Sequence, residues 1–495
     1  MRASPRHPAF SWVSLALVST LGAFAAACVF AQYAFEDAYI TLRYAQNLSA
    51  GSGYAFNHGE RVLGTSSPLW TLALSVAAHF GANLEVAKTV LSGVSLGMLA
   101  FAGGLMLRRE GAPIAALGFA LAVVFGFARS LESWGMETPL FMALVFASVE
   151  ILRARFALVA GIAMGLAVLT RHEGALFALS VALYLIAQEA SGWRRALRFS
   201  FGLLGSTAPW FLFAYCTFGT IVPHTLQAKS GSFQPLEYLA ASAGEFPMEW
   251  FWSENWTSVP WVRLVLSLAI GTLTLLGVRS LWARRSPMLP IALGAGLILG
   301  GLCVINPGYF FRWHRLPLHY TLLSTALLGA SRAATTLRLQ CTPKLKTGVS
   351  AGVALALLGL PFALRSYHES LVSSGSYQGR VAVYDEVIAF VSKAKLEHLT
   401  LLTAEPGYVA YHTGNPVIDA AGLVSPDVSF GSGHRPCTTL PELLARQPGL
   451  ILARAPFQPS EYRVLLDLDH RCRLLMRTDL WRGFTRPLSF ASSLK

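Results

Sequence analysis

Charge is scarce in this 495-residue chain: 13% of its residues are Asp, Glu, Lys or Arg, where a soluble domain carries about a quarter. An ordinary soluble protein is therefore excluded. The six cysteines include no Cys-x-x-Cys pair and no zinc spacing, which argues against a cysteine-held metal. There is no internal repeat and no low-complexity tract. Apolar side chains are abundant, with 30 Phe, 15 Tyr and 12 Trp, and that excludes disorder. The little charge present is unbalanced: 39 Lys and Arg against 26 Asp and Glu leave a net +13. Such an excess suggests nucleic acid only if it is gathered on one soluble face.

Apolar runs of transmembrane character dominate the rest. Eleven are read: Phe10–Ala31, Val86–Leu107, Pro113–Ala128, Thr138–Leu152, Phe156–Thr170, Gly174–Ala187, Phe199–Phe218, Trp261–Val278, Met288–Ile305, Leu316–Ala330 and Gly348–Leu364. The fifth and sixth are parted only by Arg171-His172-Glu173. The first is read as an uncleaved anchor, although Ala25-Ala26-Ala27 before Cys28 resembles a cleavage site. With the N-terminus inside, alternate short loops from Arg2 to Lys346 hold sixteen Lys and Arg against three acids. By the positive-inside rule these loops are cytoplasmic. The rest of the sequence before residue 365 has nine basic and eleven acidic residues, and residues 365–495 have fourteen and twelve. The net +13 thus follows topology, and no nucleic-acid partner is expected. An odd number of spans puts the C-terminus outside.

The expected fold is an α-helical polytopic membrane protein of about eleven spans, residues 1–364, with a first outer loop over 32–85. A small extracytoplasmic α/β domain over 365–495 follows. Strand-like runs there are Leu399–Thr403, Val417–Ile418 and Leu450–Leu452; helix-like ones are Val383–Lys395 and Leu440–Gln447. Cys437 and Cys472 both fall in this domain, where a disulfide is permitted.

The first outer loop holds the most chemistry. Glu36 and Asp37 open a short helix, where carboxylates suit the positive end of the dipole, and Gly51 suits its C-cap. Ser66-Ser67-Pro68 reads as the start of a second helix, Leu69 to Phe80, too short to span and expected in the membrane interface beside Trp70. A carboxylate here could serve as a general base on a hydroxyl; by position alone, the pair could equally be solvated residues flanking a helix.

Further residues decide between these. Glu36-Asp37-Ala38-Tyr39-Ile40, Arg43, Gly51-Ser52-Gly53, Asn57-His58-Gly59-Glu60-Arg61-Val62 and Thr65-Ser66-Ser67-Pro68-Leu69-Trp70 together resemble the first outer loop of the GT-C superfamily of polytopic glycosyltransferases. The likeness is to the bacterial branch that includes the mycobacterial terminal arabinofuranosyltransferases. Weaker echoes are Gly135-Met136-Glu137-Thr138-Pro139-Leu140, Thr170-Arg171-His172-Glu173-Gly174, Val222-Pro223-His224-Thr225 with Ala228-Lys229, and Val417 to Leu423. The chain has Glu where the branch has Asp at the first acidic position, and Asp37 is favoured over Glu36 as base.

The resemblance implies transfer of a sugar from a polyprenyl-phosphate donor to an extracytoplasmic glycan, lipid or protein, with inversion, in the cell envelope of a bacterium. Asp37 would take the acceptor proton, and Glu36 would orient the acceptor or share the task. Arg171, His172, His224, Lys229, Arg312 and Arg315 are the candidate groups for the donor phosphate and sugar. Competing readings are a Glu173 ion pair for Arg171, and snorkelling in an aromatic belt for Arg312 and Arg315. Arg43, Glu60, Arg61 and Glu137 are candidates for the acceptor or sugar site; a structural pairing serves Glu60 and Arg61 equally. Asp419 and His412 are read as structural. No cofactor is expected, the lipid-linked sugar being substrate; a divalent metal among the outward acids is left open as the less favoured alternative. The alternatives are a non-catalytic scaffold on the same fold and a secondary transporter, which would show repeats and mid-membrane charges. An O-antigen ligase or polymerase would need a different outer-loop chemistry.

Overall fold

A computed structural model of the chain describes residues 12–31, 36–127, 133–188, 192–229, 260–302, 312–336, 377–425, 427–428, 438–454, 460–468 and 472–481. The chain forms two compact units: one from Met1–Gln32, Glu85–Leu212 and Phe233–Tyr367, the other from Tyr33–Leu84, Phe213–Ser232 and His368–Lys495. The run Gly348–Leu364 and Cys437 lie outside the described residues, as does the side chain of Cys472.

The first unit is helical. It contains α1 (Trp12–Val29), α4 (Leu84–Arg109), α5 (Pro113–Phe127), α6 (Thr138–Arg153), α7 (Ala157–Thr170), α8 (Gly174–Gln188), most of α9 (Gly192–Phe218), α11 (Pro260–Ala283), α12 (Leu289–Leu302) and α13 (Arg312–Thr336). Among the described residues α1, α4 and α9 are long and apolar enough to cross a membrane, and α5, α7, α8 and α12 are apolar but shorter. The pairs α11–α13, α6–α7, α8–α12 and α1–α5 pack together. The outer faces stay apolar: Val86, Val90, Val94 and Met98 recur every four residues along α4, and Leu179, Leu183 and Ile186 line α8. Water would not tolerate such stripes, and hydrocarbon does. The protein is a multi-pass membrane protein.

Charge in this unit gathers at helix ends. Glu110 follows α4 and accepts from Arg153 at 2.7 Å; Arg153 also meets Glu150 at 3.2 Å, and Glu150 pairs with Arg109 at 3.0 Å. Ser286 donates to the Glu110 carboxylate. These residues belong to the loops that the charge pattern assigns to the cytoplasm.

The second unit is mixed. Its helices are α2 (Glu36–Ser49), α3 (Pro68–His79), α10 (His224–Lys229), α14 (Tyr377–Ala394), α15 (Gly407–Thr413), α16 (Leu440–Ala445) and α17 (Thr478–Trp481). Strands β1 (Leu401–Thr403), β2 (Val417–Asp419), β3 (Leu450–Arg454), β4 (Tyr462–Leu468) and β5 (Cys472–Arg477) form one sheet in the order β2-β1-β3-β5-β4. The first three are parallel, and β5 runs antiparallel to both β3 and β4. Leu402, Ile451, Leu475, Val428 and Leu443 form its core.

The opening helix ends as its sequence directs. Gly51 has φ +81° and donates to Leu48 O, while Ser52 donates to Asn47 O, the paired closure of a glycine-terminated helix. Ser67 precedes α3, with Pro68 at its first position, but makes no side-chain cap; its hydroxyl meets Thr65 at 3.2 Å. With 12 residues, α3 is about 18 Å long, short of the ~30 Å hydrocarbon layer.

Candidate functional site

The two acids at the start of α2 have different environments. Glu36 is 5% exposed. Its carboxylate accepts the backbone N–H of Gly407 and, at 2.9 Å, that of Tyr408, so it caps the first turn of α15. Burial, with Glu405 and Asp37 nearby, raises its pKa to about 8 against the two N–H bonds. Asp37 is half-buried. Its charge is felt by Glu36 and by Asp419.

Asp419, at the end of β2, is buried and receives the N–H groups of Ala421, Leu423 and Val424 at 2.8, 2.6 and 3.1 Å. Burial still lifts its pKa to about 6. It closes the turn after the strand, the structural role expected for it.

Helix α2 is bound to α15 along one side. Tyr39 meets Tyr408 edge to face at 4.7 Å and lies 5.4 Å from Tyr411 and 5.6 Å from His412. Tyr408 donates to Asp385 of α14 at 2.8 Å, and Tyr384 donates to Glu405. Arg43 donates from Nε to Phe56 O at 2.9 Å, from Nη1 to Ala410 O, and from Nη2 to Asn415 O at 2.8 Å and Gly414 O at 3.3 Å. It also lies 4.9 Å over the Phe56 ring. The sequence reading put Arg43 at the acceptor or sugar site. The structure puts it, 2% exposed, in the packing between α2, the loop after it and α15.

The loop after α2 is pinned in turn. Tyr44 donates to Val62 O at 2.7 Å. Asn57 bonds Val417 both ways, Nδ2 to its oxygen at 2.9 Å and Oδ1 from its nitrogen at 3.0 Å, and also donates to Glu60 at 3.0 Å. Glu60 and Arg61 are exposed. His224 is half-buried, and its backbone N–H donates to Leu63 O at 2.8 Å. The side chains of Lys229 and of Arg312 lie outside the described residues.

In the helical unit Arg171 is buried between acids. Nη1 donates to Glu137 at 2.9 Å and Thr138 at 3.1 Å, and Nη2 to Glu173 at 2.7 Å. This holds the break between α7 and α8 to the start of α6. Both readings of Arg171 meet here: its guanidinium is ion-paired, and its Nε has no partner among the described residues. His172 is half-buried, 6.5 Å from the Phe211 ring. Arg315 is buried in α13.

Sequence reasoning missed Lys88. It is 1% exposed on α4 and pairs with Glu85 at 2.6 Å. A lone cation inside an apolar run was the available signal, because such a charge is costly unless used or paired. It also missed the amides of Gly407 and Tyr408, which no side-chain pattern marks. Among the described residues no group of three or more His, Cys, Asp or Glu could hold a metal ion.

A stretch of 276 residues is 29% identical to the terminal beta-(1->2)-arabinofuranosyltransferase of Mycobacterium tuberculosis, covering 51% of this chain and 41% of that protein. The enzyme of the same name from Corynebacterium glutamicum is 27% identical over 272 residues, covering 48% and 38%. The chain thus spans about two fifths of the length of the curated relatives it matches. The crystal structure of ArnT from Cupriavidus metallidurans in the apo state superposes with a TM-score of 0.56 at 14% identity, over 88% of this chain and 92% of that one. No family profile matches the chain. The resemblance to the GT-C glycosyltransferases, read from the first outer loop, therefore holds in sequence and in fold.

Proposed function

We propose that this chain is a membrane glycosyltransferase that moves a sugar from a polyprenyl-phosphate donor to a hydroxyl of an extracytoplasmic glycan, lipid or protein. The names of the relatives support a pentofuranose as the sugar. The observation that carries the reading is the divergence of the two acids: Glu36 is buried on the amides of α15, while Asp37 is left half-exposed on the same turn.

On this reading Asp37 accepts the proton of the acceptor hydroxyl as its oxygen bonds to the anomeric carbon. The bond from that carbon to the phosphate oxygen breaks on the opposite face, the configuration inverts, and the polyprenyl phosphate leaves. Glu36, facing the protein, does not touch substrate. Cationic side chains would offset charge growing on the phosphate; Arg171, His172, His224, Lys229, Arg312 and Arg315 are proposed from the motifs. The cytoplasmic N-terminus, the eleven spans and the extracytoplasmic 365–495 segment belong to the same proposal. So does its place in a bacterial inner membrane.

The test is a transfer assay with several polyprenyl-phosphate sugars on membranes holding wild type, Asp37→Asn or Glu36→Gln at equal abundance. Loss of the base is expected to cost about 10²–10⁴-fold in turnover, and Glu36→Gln, which keeps one acceptor oxygen for the α15 amides, no more than the lower end of that range. Full transfer by an abundant Asp37→Asn enzyme would sink the assignment.

A further inference from the structure

Glu36 and Gly407 are 371 positions apart, yet Gly407 lies directly against the first turn of α2. A Cβ added at Gly407 would come closer than 3.0 Å to the Glu36 carbonyl oxygen, to 2.9 Å from its Oε1 and to 3.1 Å from the Ile40 nitrogen. Two of these atoms are backbone, so rotation of a flexible side chain cannot relieve the contact. The Gly407 and Tyr408 amides meanwhile hold the carboxylate from the same side. The start of α2 is therefore fixed both by contact and by hydrogen bonds, and Asp37 is the next residue along.

We propose that Gly407 is a positioning residue for the transfer reaction: with the Tyr408 amide it seats Glu36 and so fixes the turn from which Asp37 projects, which makes the segment around β1 a working half of the active site. This rests on Asp37 being the base. Gly407 does not touch substrate. It acts through Glu36 on the distance between Asp37 and the acceptor oxygen. Restoring ordinary contact past a Cβ requires a shift on the order of 1 Å, and displacement of that size costs on the order of 10²-fold in rate.

The experiment measures kcat and both KM values, with a short-chain polyprenyl-phosphate arabinofuranose as donor and an octyl arabinofuranoside as acceptor. Gly407→Ala is expected to lower kcat about 100-fold with both KM values within twofold of wild type. Glu36→Asp, which withdraws the carboxylate from the amides and adds no atom, is expected to lower kcat in the same way. It also serves if Gly407→Ala does not accumulate. The double variant Gly407→Ala/Glu36→Gln is expected to be no slower than Gly407→Ala, because both changes break one contact. Wild-type kcat in either Gly407→Ala or Glu36→Asp overturns the proposal, and so does a rise in KM at constant kcat or multiplicative losses in the double variant. Asp37→Asn separates the two levels. If it transfers at full rate, the base assignment fails; if it is dead while Gly407→Ala runs at full rate, only the positioning role fails.

Discussion

Replacing Arg43 by Met should destabilise the second unit by an amount that can be worked out bond by bond. Four carbonyls receive the guanidinium: Phe56, Ala410, Gly414 and Asn415. The first two keep a partner in its absence, since Asn47 donates to Phe56 O at 2.9 Å and the Gly414 N–H to Ala410 O at 2.9 Å. Gly414 O and Asn415 O lose theirs. Gly414 is exposed, so water replaces the bond there, whereas Asn415 is buried and its stripped carbonyl costs about 1–3 kcal/mol. Met retains most of the stem packing, so little is added for a cavity. In a body of this size each kcal/mol moves the midpoint by about 2–4 °C, and the melting temperature should fall by at least ~2 °C. Fluorescence-detected thermal unfolding of the purified protein in detergent reads this directly. Arg43→Lys, with one nitrogen in place of a planar fork, should recover part of the loss. A melting temperature for Arg43→Met within ~1 °C of wild type would refute the accounting, and with it the view that Arg43 is a structural clamp.

Two further outcomes follow from the same contacts. Glu36 has its pKa raised from 4.5 to about 8, so between those values the folded state holds a proton that the unfolded state has lost. Its contribution to stability is complete below pH ~4.5, declines as pH rises through about 8 and is then gone, a change of a few kcal/mol at about 1.4 kcal/mol per unit. The difference in melting temperature between wild type and Glu36→Gln should therefore change across pH 4.5–8; a constant difference would contradict it. Asn57→Ala leaves both the N–H and the C=O of Val417 without their side-chain partner and should cost about 2–4 kcal/mol in the same unfolding assay. An unchanged midpoint would show that the edge of β2 does not depend on the loop.

Local features of this chain were legible and long-range ones were not. The start of α2 at an acidic pair, its end at Gly51 and the break at Arg171-His172-Glu173 follow from capping, dipole and hydropathy, which act within a few residues. The strands β4 and β5 escaped because Arg463, Asp467 and Arg473 interrupt their apolar pattern. Arg43 is a conspicuous cation in a motif, which looks the same whether it meets a sugar or a carbonyl, so its four carbonyl partners were not legible. Asn57 was visible in the motif, but its partner Val417 lies 360 positions away. Of the split between Glu36 and Asp37, the resemblance supplied a preference for Asp37 as base but not its physical cause. It depends on which of two adjacent acids faces α15, and that is settled by packing.

The distance in sequence between Glu36 and Gly407 also has a meaning in time. At ordinary rates of synthesis, about 5–20 residues per second, the 371 positions between them take roughly 20–75 s to make. During that interval the loop after the first helix has left the ribosome, and the amides that seat its acid do not yet exist. If Asp37 is the base, as proposed, a nascent chain cannot hold it in place, however completely its helices have inserted. On that proposal, transfer would switch on only near the end of translation, and a ribosome that stalled before residue 407 would leave an inserted but silent chain in the membrane.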